Sequence, residues 1–84
     1  MERVLLYKSR TLTVVLLRLQ QGCKIHPHGD FDSYLKVLTG NIYHRSFGQT
    51  KMMAAGDSTV VTAGSHSILA RQDSTIIARY VETK

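Results

Sequence analysis

Short runs of apolar residues alternate with glycine or polar turns at intervals of roughly eight to twelve residues, the rhythm of an all-β domain. Val4–Tyr7 and Leu12–Leu19 open the series, separated by Lys8-Ser9-Arg10. The second run is nearly all apolar, which predicts a strand covered on both faces. Gln20-Gln21-Gly22 turns the chain into an extended Cys23–His28, where Pro27 points to a sheet edge or a strand end. Gly29–Ser33 has loop composition. Tyr34–Leu38 and Ile42–Phe47 flank Thr39-Gly40-Asn41, a hairpin signal. Lys51–Ala55, Thr59–Thr62, Ser67–Ala70 and Thr75–Val81 complete the set, parted by Gly56-Asp57, Ala63-Gly64 and Arg71–Ser74. No stretch sustains helical periodicity, so the expected fold class is all-β: a sandwich, jelly roll or barrel.

Length and composition narrow the setting. The 84 residues predict one domain, spanning 1–84. A domain of this size buries only about 60–65% of its unfolded surface, so a second subunit or a bound metal would add to its stability. No apolar run approaches the roughly 20 residues that span a membrane. No small-residue cleavage site follows a long apolar stretch at the N-terminus. Cys23 is the one cysteine, which excludes an internal disulfide and points to the cytoplasm. The net charge of +5 invites a nucleic-acid reading. Its cations are scattered from Arg3 to Lys84 without a run, however, and argue against that partner. A small anionic ligand suits them better.

The candidate chemistry lies in the histidines. His26 and His28 stand at i and i+2, a spacing that places both on one face of a strand. His66 follows in Ala63-Gly64-Ser65-His66-Ser67 and could add a third imidazole. His44 sits between Tyr43 and Arg45 and reads as an exposed strand residue. Asp30 and Asp32 read as loop acids in water, with a ligand role open to them only if the loop folds inward. Cys23 is out of phase with His26 on a regular strand, which argues against a ligand or nucleophile role.

These motifs resemble the cupins. Gly22, His26, His28 and Gly40 are similar to the first cupin motif, and Gly56-Asp57, Thr62, Gly64 and His66 to the second. The resemblance implies a double-stranded β-helix (jelly-roll) barrel holding a mononuclear divalent metal through His26, His28 and His66. Counted back from Gly40, the family's usual glutamate falls on Ser33, and His66 is one residue nearer Gly64 than is common. Both departures resemble the thiol dioxygenase branch, typified by cysteine dioxygenase, whose iron is held by three histidines. That likeness implies Fe(II) first, with Zn, Ni or Mn as alternatives, and an oxidoreductase acting on a small anionic substrate. It also implies a carboxylate-binding role for Arg3 and a pocket role for Tyr80, although the rest of the branch's Ser-His-Tyr array is not reproduced. The alternatives are a noncatalytic cupin module binding a small ligand or a protein partner, and a small isomerase with a Lewis-acid metal. A homodimer is expected in each case.

Overall fold

The computed structural model describes residues 1–26, 28–29, 33–46, 48–61 and 64–81, with the backbone alone at 28–29 and 64–65. Asp30, Asp32, the His28 side chain and the expected strand ends Phe47 and Thr62 lie outside the described residues. The described elements are all strands: β1 (Glu2–Lys8), β2 (Leu12–Leu19), β3 (Lys24–Ile25), β4 (His28–Gly29), β5 (Ser33–Thr39), β6 (Asn41–Ser46), β7 (Gln49–Ala54), β8 (Ser58–Val61), β9 (Gly64–Ser65), β10 (Ser67–Ala70) and β11 (Ser74–Val81). Among them no helix is long and apolar enough to cross a membrane.

The strands form a five-stranded sheet in the order β1-β2-β11-β5-β8, a four-stranded sheet β3-β10-β6-β7 and a small ladder β4-β9. Every pairing is antiparallel. Alternation decides which residues meet between the two larger sheets, because successive side chains on a strand point to opposite faces. Val15, Leu17, Leu35, Val37, Ile76 and Ala78 line the inner face of the larger sheet, and Ile42, Met53, Ile68 and Ala70 that of the smaller. All are buried in one cluster.

The expectation that β2 is covered on both faces is not met within this chain. Val15, Leu17 and Leu19 are buried, but Leu12, Val14 and Leu16 are only half-buried. Flanking strands shield their edges, while the outer face of the sheet stays open. The expected single strand Cys23–His28 is also divided, into β3 and β4. Pro27 lies between them in sequence and has no N–H to offer a ladder.

One end of the barrel is tied shut. β5 passes into β6 of the opposite sheet at Gly40, whose φ is +83°. The turn before β11 gathers the neighbouring segments there. Gln21 N donates to Asp73 Oδ1 at 2.8 Å and Ser74 Oγ to Asn41 O at 3.1 Å. Arg71 N also donates to Asn41 O, at 3.1 Å. Since β5 and β6 run away from Gly40 together, Ser33 and Ser46 share the opposite end.

Candidate functional site at the end of the barrel opposite Gly40

Strand register brings a polar set to the end opposite Gly40. Directly paired residues share a sheet face, and Tyr80 of β11 is paired with Thr13 on one side and Ser33 on the other. Lys8 continues that row at the edge, opposite Thr13. Ser33 is buried and Tyr80 half-buried against the core. On the smaller sheet His44 is paired with Ile68 and with Lys51. Hydroxyls from one sheet therefore face imidazole and ammonium groups from the other.

His44 departs from its sequence reading as an exposed strand residue: it is 6% exposed. Ile42 faces the core, so His44, two residues further on the same strand, must face it too. That parity was visible in the sequence and would have found it. The His44 Nε2 lies 3.0 Å from Nδ1 of His66, in the short link between β9 and β10. The two rings meet edge to face, with centroids 5.1 Å apart. Burial, and then the positive charge of Lys51, hold the His44 ring below its ordinary value of 6.5. A neutral imidazole there can accept or donate one hydrogen bond to His66, or lend a nitrogen lone pair to a metal.

The remaining expected site residues separate. His26 is exposed, because the preceding Ile25 takes the inward position beside Ile68. Cys23, in phase with Ile25, also packs against the core. The His28 backbone lies opposite Ser65, the neighbour of His66. Arg3 is exposed on the edge strand opposite Leu17, four residues along β2 from the Thr13 row. That places it about 14 Å along the strand from the end opposite Gly40. The register thus brings His66, Tyr80 and the exposed His26 toward one end and leaves Arg3 away from it. Among the described residues, no group of three His, Cys, Asp or Glu side chains is placed to hold a metal.

The depressed His44 value has a consequence for stability in metal-free protein. The unfolded chain takes up a proton near pH 6.5, whereas the folded chain resists doing so until lower pH. Folding stability should be complete above pH 6.5 and fall as the pH drops from there toward the lowered native value. Among the described residues, His66 and Lys51 face His44. Urea midpoints at pH 7.5 and 5.5, taken with chelator present, should differ more in wild type than in His44→Gln. Equal differences would remove His44 as the source.

Solved structures share this architecture. A cupin superfamily protein from Desulfitobacterium hafniense superposes with a TM-score of 0.92 at 15% identity, over 98% of this chain and 77% of that one. KdgF from Halomonas sp. gives 0.88 at 20% identity, over 98% and 78%. The cupin-2 domain of an XRE family transcriptional regulator from Enterobacter cloacae gives 0.89 at 8% identity, over 99% and 97%. No protein-family model matches the sequence, and no curated protein matches it. The chain has the cupin fold, an all-β double-stranded β-helix barrel. At these identities the likeness is one of fold.

Proposed function

We propose that this small cupin domain works at the end opposite Gly40, binding a divalent metal through His44, His66 and His28 and presenting it to a small anionic ligand. The observation that carries the reading is the 3.0 Å approach of His44 Nε2 to His66 Nδ1. Two nitrogens about 2.1 Å from one metal, at right angles, stand about 3.0 Å apart. The pair therefore fits adjacent positions on a metal, and the suppressed protonation of His44 suits a ligand. His28 is kept from the family resemblance; its side chain lies outside the described residues, and its backbone is paired with Ser65. His26 reaches the same end but is exposed, and His44 is preferred to it here. Fe(II) is the first choice among Fe, Zn, Ni and Mn, all compatible with imidazole. A divalent metal would supply Lewis acidity, and iron would add redox chemistry of the thiol dioxygenase kind. Lys51 and Lys8 favour an anion, which the Thr13, Ser33 and Tyr80 hydroxyls of the facing row would orient. A cytoplasmic setting fits the unpaired Cys23.

Calorimetric titration with Fe(II), under anaerobic conditions, and with Zn(II) tests the assignment. We expect about one metal per chain, a loss of affinity of tenfold or more in His44→Ala and in His66→Ala, and little change in His26→Ala. No binding by wild type, or a loss confined to His26→Ala, overturns it. Oxygen uptake with cysteine and Fe(II) then separates catalysis from binding. Uptake no greater than that of His66→Ala leaves the second reading, a noncatalytic module for a small ligand or protein partner. One comparison favours that reading: the regulator's cupin-2 domain matches over 97% of its own length.

A further inference from the structure

The outer face of the five-stranded sheet is apolar with a positive centre. Arg79 of β11 stands between Val14 of β2 and Tyr34 of β5, and Ile77, two residues earlier, between Leu16 and Lys36. Directly paired residues share a sheet face, and this set alternates with the buried Val15, Leu35, Val37, Ile76 and Ala78, so it points outward. Val14, Leu16 and Ile77 are half-buried, while Tyr34, opposite Val60 of the edge strand, is 43% exposed. An open groove of about 520 Å³ crosses this face, with Leu12, Val14, Ile77, Tyr34, Lys36 and Arg79 among its lining residues. That size falls within the range of small-molecule sites, which are mostly apolar with a few placed polar groups.

We propose that this groove binds a free amphiphilic carboxylate, an anionic head on an apolar tail, at a site separate from the barrel end. Arg79 and Lys36 are diagonal neighbours on adjacent strands, with backbones about 7–8 Å apart. Two side chains of that length can reach one carboxylate between them. The Arg79 guanidinium lies 4.5 Å from the centroid of the Tyr34 ring, which holds it over the face and leaves its N–H edge for a paired contact with a carboxylate. Among the described residues the one carboxylate on this face is Glu2, and Arg18 takes it at 3.0 Å. Arg79 and Lys36 therefore have no partner acid there. A second copy answers this pattern poorly: isologous packing sets a patch against itself, and this patch has no free acid for its own cations. The tail of a bound amphiphile would lie along Leu12, Val14 and Ile77, covering apolar surface that the fold alone leaves in contact with water. Thr13, Ser33 and Tyr80 face the other side of the sheet, so the groove shares no side chain with the proposed metal site.

Calorimetric titration of the full chain with sodium decanoate, below its micellar concentration and with chelator present, tests the proposal. Wild type should bind about one decanoate per chain. Decyltrimethylammonium keeps the tail and reverses the charge, while acetate keeps the head and lacks the tail. Each should bind at least about tenfold more weakly. Arg79→Gln and Lys36→Gln should each raise the decanoate dissociation constant about three- to tenfold. Both residues are exposed, so the fold should survive, as circular dichroism checks. Lys24→Gln removes the same charge from an exposed position on the other sheet and should change nothing. No decanoate binding, equal binding of the cationic amphiphile, or an equal loss in Lys24→Gln overturns the assignment. So does a loss confined to Lys51→Gln, which would put decanoate at the barrel end. Sedimentation equilibrium on the same samples detects a second copy: a dimer that excludes decanoate and is dissociated by Tyr34→Lys would give the face to that copy and overturn the proposal.

Discussion

Ile68→Ala should destabilise the domain by about 2–5 kcal/mol, a large part of the roughly 4–13 kcal/mol expected for a domain of this size. Ile68 is fully buried and lies mid-sheet, paired with Ile25 on one side and His44 on the other. Truncation removes three carbons from a place where both neighbouring strands are fixed by main-chain ladders, so the space cannot close. Leu69 points the other way and is only half-buried; Leu69→Ala should cost about 1 kcal/mol or less. Urea midpoints of the two variants make the comparison. A smaller loss at Ile68 than at Leu69 would mean that β10 faces the core with the opposite phase, and would take the placement of His66 with it.

Among Gly22, Gly40, Gly48 and Gly56, Gly40→Ala should be the most damaging replacement. Its backbone has φ +83°, where an L side chain costs about 1–2 kcal/mol. A Cβ there would also run into Ser74 Oγ and Asp73 O and lie 2.8 Å from Ser74 Cα. Two of these three atoms belong to the main chain of the tied end and cannot swing aside. Gly48 has φ +75° and nothing within 4 Å of an added Cβ, so Gly48→Ala bears the conformational cost alone. At about 4–8 °C per kcal/mol for a domain of this size, thermal unfolding should put Gly40→Ala well below Gly48→Ala, or show it unfolded. Equal losses would mean that the corner has room to relax.

The strand rhythm was legible because glycines and polar pairs punctuate the chain at nearly every real turn. β2 and β10 fall where the apolar runs place them, residue for residue. The site was less legible because phase, rather than residue type, decides which histidine faces inward. The His26-Pro27-His28 spacing suggests one face of one strand, yet Ile25 and Cys23 compete for the interior and win it on hydrophobicity. His44 was masked by its polar neighbours Tyr43 and Arg45, although Ile42 two places earlier sets its direction. Arg3 could be placed near a site only through family likeness. Its distance from Tyr80 depends on the pairing of β1 with β2 and of β2 with β11, which no local signal encodes.

β11 lies between β2 and β5, the only strand bonded to both. During synthesis, β1 and β2 can pair as soon as they emerge, and β5 can meet β8, but the two halves stay unjoined until residues 74–81 have been made. Until then each half of the larger sheet has a bare edge where β11 will bind. Folding then waits on contacts far apart in sequence, which makes it slow and leaves a window for mispairing. A chain halted before Ser74 should be recognised by chaperones or proteases as unfolded, however sound its earlier strands are.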